Sequence, residues 1–106
     1  MCPHRATVAM DLMHVLLLDY DYSNALTRAL QLSGYGMVVE TAQDFDAASR
    51  RLSTMQFDVV LVNVEPADDC GRRAVEHLQK EFPNTVFYSH QRIDDFFQSV
   101  GIHERR

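Results

Sequence analysis

The run of apolar residues from Val59 to Val64 constrains the fold of this chain more than any other feature. Only Asn63 interrupts the run, and no polar residues alternate with apolar ones along it. A strand of this composition is buried on both faces, which is typical of a parallel sheet covered by helices. The segment from Pro66 to Gly71 then supplies the breakers and small acidic residues that end strands and begin loops. The run therefore predicts a central strand with Asn63 at its carboxyl end, where open α/β sheets bind ligands.

Strand-like and helix-like segments alternate along the rest of the chain. Further strands are predicted over residues 14–18, 37–40 and 85–89, and amphipathic helices follow each strand. Ser23 is the predicted N-cap of the first helix and Gly34 its end. The apolar face of that helix is predicted to contain Ala25, Leu26, Ala29, Leu30 and Leu32. The predicted fold class is α/β, with a mainly parallel sheet of four strands and helices on both faces.

Size and charge limit the function classes. The chain has 106 residues and a net charge of −5, which fits one domain, placed at residues 14–102 between a flexible leader (1–13) and a tail (103–106). The basic residues are dispersed, so direct contact with nucleic acid is not expected. No apolar stretch is long enough to span a membrane or to form a signal peptide, which predicts a cytoplasmic protein. Cys2 and Cys70 do not form a disulfide framework.

An acidic pair follows the first strand, Phe57-Asp58 leads into the apolar run, and Ser89 follows the fourth strand. This order of elements resembles the receiver domain of response regulators. In that family, two carboxylates after the first strand hold Mg²⁺ and an Asp ending the third strand accepts a phosphoryl group. A Thr or Ser ends the fourth strand, and a Lys ends a fifth. The resemblance assigns Asp19 and Asp21 to the acidic pair, Asn63 to the phosphoacceptor position and Ser89 to the switch hydroxyl.

The chain departs from the family pattern at the phosphoacceptor and lysine positions, which carry the phosphoryl chemistry in that family. Asn63 is an amide, which cannot form an acyl phosphate, and the only lysine, Lys80, lies inside the third helix. The chain is also expected to lack the fifth strand and fifth helix of the family. We therefore expect a degenerate, C-terminally abbreviated pseudo-receiver: a non-enzymatic regulatory interaction or dimerisation module in signal transduction or transcription control, with no cofactor. Hydrogen bonds to the loop around Tyr20 and Asp21 are expected to hold Asn63.

Two alternative functions stay open at this stage. The first is a phospho-accepting receiver that uses Asp19, Asp21 or Asp69 as an unconventional acceptor. The second is a small flavodoxin-like enzyme, although no catalytic constellation supports it. No metal site is expected, because the five histidines show no metal-binding spacing.

The C-terminal edge of the sheet is the expected contact surface for a protein partner or a second copy of the chain. Without a fifth strand, the fourth strand is an outer strand with unpaired backbone groups. Adjacent residues on a helix diverge by about 100°, so one of the two neighbouring phenylalanines in the last helix, predicted over 93–100, is expected to be exposed there. The predicted interface consists of Val86, Phe87, Phe96, Phe97 and Val100.

Overall fold

The structure, a computed structural model, describes residues 12–63, 69–89 and 92–99, without the side chains of residues 69 and 70. The predicted interface residue Val100, the tail (103–106) and leader residues 1–11 lie outside the described residues, as does the side chain of Asp69. The predicted domain boundaries therefore stay predictions. Within the described ranges, no helix combines the length and the apolarity needed to cross a bilayer.

The described strands form one parallel sheet. Its strands are β1 (His14–Leu18), β2 (Val38–Ala42), β3 (Val59–Val62) and β4 (Val86–Tyr88), arranged in the order β2-β1-β3-β4. All neighbouring pairs are parallel, so the carboxyl ends of the strands lie at one edge of the sheet. The two central strands, β1 and β3, are buried along almost their whole length, as the uninterrupted apolar runs predict. The predicted α/β fold class is confirmed, while β2 is displaced along the chain and β4 is shorter than predicted.

Helices cover both faces of the sheet. They are α1 (Tyr22–Ser33), α2 (Phe45–Thr54), α3 (Asp69–Glu81) and α4 (Ile93–Ser99). Apolar residues of α1 and α4 pack with one set of alternating β1 and β3 side chains, including Leu17 and Leu61. Residues of α2 and α3 pack with the other set, including Leu16 and Val60. The first and last helices therefore share one face, and the two middle helices share the other.

The N-terminus of α1 and part of its apolar face differ from prediction. Asp21, not Ser23, is the N-cap, because its carboxylate accepts a hydrogen bond from the backbone N–H of Asn24. Gly34 ends the helix as predicted. Ala25 and Leu32 are buried against the sheet, whereas Leu26 and Leu30 are exposed. The apolar face of α1 is thus wider than the surface that the sheet covers.

The neighbouring phenylalanines of α4 are both buried, so the expectation that one of them is exposed is wrong. Phe96 is 1% exposed and Phe97 is 8% exposed. The ring of Phe96 packs on Tyr88 of β4 at a centroid distance of 5.3 Å. The ring of Phe97 lies under the guanidinium of Arg28 from α1, with the Arg28 Cζ 5.3 Å from its centroid. The sheet therefore covers Phe96 and α1 covers Phe97, so both of these adjacent helix positions are buried.

Candidate functional site

Asp19 is the buried acid at the carboxyl end of β1. It follows the last residue of the strand and is 3% exposed. Its backbone N–H donates to the carbonyl oxygen of Ala42 in β2 at 2.9 Å, which extends the sheet pairing by one residue. The chain then turns, and the N–H of Asp21 donates to Oδ1 of Asp19 at 2.9 Å. Asp19 is therefore held between the sheet and the entry to α1, with its carboxylate turned inward.

Two asparagine carboxamides complete the environment of the Asp19 carboxylate. Asn63 Nδ2 donates to Oδ2 at 2.7 Å, and Asn24 Nδ2 donates to the same oxygen at 2.9 Å. The backbone N–H of Asn63 donates to the carbonyl oxygen of Leu18 at 2.8 Å, which fixes the end of β3 beside the end of β1. The carboxylate thus accepts three N–H groups, and hydrogen bonds to an ionised acceptor are stronger than neutral ones.

Asn63 lies where the sequence predicts it, but its partner differs. The expected hydrogen bonds to the loop around Tyr20 and Asp21 are replaced by the bond to Asp19 itself. The geometry gives the reason: Tyr20 and Asp21 are exposed, while Asp19 is the inward-facing residue of this segment. Asn63 therefore contacts the buried acid directly.

Asn24 is the member of this cluster that sequence reasoning missed. It occupies the third helical position after the N-cap Asp21, and its backbone N–H donates to Oδ1 of Asp21 at 3.2 Å. A polar side chain at that position often reaches back towards the N-cap, as in the capping box. Here the carboxamide reaches past the cap to Asp19. The spacing Asp21-x-x-Asn24 could have indicated this arrangement.

Asp21 does not converge with Asp19 on a shared ligand position. It is exposed, and its carboxylate caps α1. The two acids of the pair therefore have separate roles, one as the buried acceptor of the cluster and the other as a helix cap. The other acid named as an unconventional acceptor, Asp69, is the first residue of α3.

Ser89 lies at the same edge of the sheet but outside the Asp19 cluster. It follows the last residue of β4. Because Leu61 pairs with Tyr88, Ser89 is level with the β3 residue that immediately precedes Asn63. Ser89 is exposed, and its carbonyl oxygen accepts the N–H of Arg92 at 2.8 Å before α4 begins. Its position agrees with the resemblance, while its surroundings differ from those of Asp19.

The residues that the structure describes at this edge do not fit a magnesium ion. Mg²⁺ requires oxygen ligands in octahedral geometry, usually including one or two carboxylates. Both oxygens of Asp19 instead accept N–H groups, Asp21 caps a helix, and Asn63 turns its nitrogen towards the acid. Among residues 12–63, 69–89 and 92–99, no group of three or more His, Cys, Asp or Glu side chains could hold a metal ion.

Comparisons of structure find the same fold in solved proteins that include the following two. The chemotaxis protein CheY4 of Vibrio cholerae superposes with a TM-score of 0.65 and 22% identity, over 85% of this chain and 81% of that one. The adenylate cyclase of Rhodopirellula baltica superposes with a TM-score of 0.64 and 22% identity, over 84% of this chain and 68% of that one. No protein-family model and no curated protein sequence matches this chain. The chain has a receiver-like, flavodoxin-like α/β fold.

Proposed function

We propose that this chain is a pseudo-receiver, which takes no phosphoryl group and acts in signal transduction or transcription control by contact with another protein. The receiver-like fold supports a regulatory role by analogy of architecture. The chemistry of the candidate site supports the loss of phosphoryl transfer. The role as an interaction module, the non-enzymatic character and the cytoplasmic location are parts of the same proposal.

The single observation that carries the proposal is the 2.7 Å hydrogen bond from Asn63 Nδ2 to Asp19 Oδ2. A phosphoacceptor must offer a nucleophilic oxygen towards the incoming phosphorus atom. At the corresponding position Asn63 offers an amide, whose nitrogen is committed to the neighbouring acid. The carboxylate of Asp19 is in turn occupied by N–H donors. These hydrogen bonds occupy the groups that a phosphoryl group would need, which supports the loss of phosphoryl transfer.

The unconventional acceptors of the alternative proposal are less suited to this reaction. Asp19 is buried, and a phosphoryl transfer to it would break its hydrogen bonds with Asn24 and Asn63. Asp21 is accessible, but conversion of its carboxylate to an acyl phosphate would weaken the N-cap of α1. The name adenylate cyclase belongs to the R. baltica protein. This chain shares its fold with that protein, and a shared fold does not support the enzyme alternative.

The edge of β4 is the proposed contact surface for a protein partner. Among the described strands, β4 is an outer strand, so one side of its backbone is not paired within the sheet. Val86 is 53% exposed, whereas Phe87 packs towards α2 and α3. Since Phe96 and Phe97 are buried, this surface depends on the strand backbone and Val86. Addition of a partner strand is the binding mode that such an edge allows.

The test of the proposal is incubation of the purified chain with acetyl phosphate and excess Mg²⁺, followed by intact-mass measurement. We expect no phosphoryl adduct. The variant Asp21→Asn, which keeps a capping oxygen, is treated in parallel to identify an unconventional acceptor. A stoichiometric adduct on the wild-type chain would contradict the pseudo-receiver, and its loss in Asp21→Asn would assign the acceptor to that residue.

A further inference from the structure

The exposed flank of α1 carries an apolar ridge that the described parts of the fold leave uncovered. Tyr22, Leu26 and Leu30 follow one another at intervals of four residues and are 57%, 45% and 67% exposed. Residues at this spacing lie on one side of a helix, one turn apart. Single exposed apolar residues are ordinary on protein surfaces, but three on successive turns form a contiguous patch. We call these three residues the α1 ridge.

The direction of the α1 ridge follows from the contacts of Arg28. Arg28 contacts Phe97, so this flank of α1 faces α4. Leu26 precedes Arg28 by two residues, and at about 100° per residue it lies on the other flank. The α1 ridge is therefore turned away from α4 and is bordered by the residues of α1 that pack on the sheet, Ala25 and Leu32.

The charge distribution separates α1 from the other long helices. Arg28 is the only charged residue among the 12 residues of α1, and its guanidinium lies over the Phe97 ring. The exposed surface of α3, in contrast, carries charged residues throughout, namely Arg72, Arg73, Glu76, Lys80 and Glu81. Helix α2 exposes the Asp46–Arg50 ion pair. The α1 ridge is thus an uncharged apolar surface on a chain with a net charge of −5.

We infer that the α1 ridge is a docking site for a second copy of this chain. In a two-fold contact a residue at the axis faces its own copy, so a charge there lies beside a like charge. An uncharged surface avoids this repulsion, and depletion of charged residues with retention of Tyr and other apolar groups is typical of interface cores. The absence of charge therefore favours a second copy over an acidic or basic partner.

The spacing of the α1 ridge also suits two-fold symmetry. Leu26 is its central residue, and Tyr22 and Leu30 lie about 6 Å along the helix axis on either side. In an antiparallel pair, Leu26 of one copy faces Leu26 of the other, and Tyr22 faces Leu30. Packing of such four-residue ridges favours a crossing angle of about −50° between the helices.

One helix pair buries less than the roughly 800 Å² per partner of a typical stable interface, so the dimer forms at high protein concentration. This inference goes beyond the proposed function, because a chain that accepts phosphate could carry the same ridge. The two proposals can fail separately, since one is measured by phosphoryl mass and the other by oligomeric state.

Sedimentation velocity at increasing concentration, up to about 1 mM, tests the inference. We expect the wild-type chain to dimerise. Leu26→Glu and Leu26→Lys are each expected to raise the dissociation constant by about tenfold or more, because each places like charges together at the two-fold axis. An equimolar mixture of the two variants should dimerise again, since opposite charges then meet. Val86→Glu, which adds the same charge at the edge of β4, should dimerise like the wild type.

Each other result overturns the inference. A monomeric wild-type chain at the highest concentration would exclude the second copy and leave the α1 ridge to another partner. If each charged Leu26 variant dimerises by itself, self-association occurs elsewhere on the chain. The same conclusion follows if Val86→Glu loses the dimer while its circular dichroism spectrum is unchanged. Because Leu26 is already partly exposed, its variants should keep the circular dichroism spectrum of the wild type. If they unfold, Leu30→Glu at the more exposed position replaces them and should raise the dissociation constant equally.

Discussion

The carboxyl ends of β1 and β3 differ from the carboxyl end of β4, although all three lie at one edge of the sheet. At the first two, Asp19 and Asn63 are joined by a hydrogen bond, and Asp19 is buried. At the third, Ser89 is exposed and precedes the entry to α4. The difference indicates that the Asp19–Asn63 pair contributes to the stability of the fold, while the Ser89 side chain does not. Stability measurements on the two regions test this difference.

The largest effect is expected for Asp19→Ala. The substitution leaves the N–H of Asp21 and the carboxamides of Asn24 and Asn63 without their acceptor, and should lower the free energy of unfolding by about 3 kcal/mol. The matched control is Asp44→Ala, which removes the exposed N-cap of α2, where Oδ1 accepts the N–H of Ala47 at 2.7 Å. Loss of a cap of this kind costs about 1 kcal/mol. Urea denaturation measures both, and equal losses would mean that the Asp19 cluster adds no stability beyond a surface cap.

A smaller effect is expected for Asn63→Asp. The new carboxylate faces Asp19 in place of an N–H donor, and the repulsion should lower the free energy of unfolding by about 2 kcal/mol. Mg²⁺ should raise the melting temperature of this variant, because a cation between the two acids binds the folded state only. The wild-type chain should not respond. Ser23→Asp is the control, since Ser23 is exposed and its new charge lies in the first turn of α1, where the helix dipole favours an acid.

The Asn63→Asp variant can also contradict the account. If its melting temperature equals that of the wild type with and without Mg²⁺, the two side chains do not face each other as described. If Ser23→Asp is equally destabilised and equally responsive to Mg²⁺, the effect belongs to the general charge of this edge and not to the Asn63 position.

The smallest effect is expected for Ser89→Ala. An exposed hydroxyl outside the cluster should change the free energy of unfolding by less than about 0.5 kcal/mol. Urea denaturation beside Asp19→Ala provides the measurement. A loss comparable to that of Asp19→Ala would join Ser89 to the cluster and remove the difference between the two regions.

The sequence predicts the sheet well because burial on both faces leaves a simple pattern. The apolar runs of β1 and β3 could be read directly, and with them the position of Asn63 at a strand end. The pairing of Asn63 with Asp19 could be anticipated only as a shared edge, because the direction of a side chain at a strand end depends on the following turn. Asn24 escaped notice because a polar residue in the first turn of a helix is ordinary.

The helix surfaces were predicted less well, because helical periodicity does not give the width of the surface that neighbours cover. Leu26 and Leu30 share the apolar side of α1, yet the sheet reaches only Ala25 and Leu32. In α4 the opposite occurred, since α1 supplies a second wall that buries Phe97 as well as Phe96. Both differences arise from how the helices pack beside one another, which is a tertiary property.

The most direct test of the central claim is an NMR titration that observes the Asn63 carboxamide. The claim is that this group is permanently bonded to Asp19 and does not respond to the ligands of a phosphorylatable site. In ¹H–¹⁵N spectra, the Asn63 side-chain signals are assigned by their loss in Asn63→Ala. We predict that they stay unchanged when excess Mg²⁺ and then acetyl phosphate are added to the wild-type chain. Saturable movement of the Asn63 signals together with the backbone signal of Asp21 would mean that the site binds these ligands and would contradict the account.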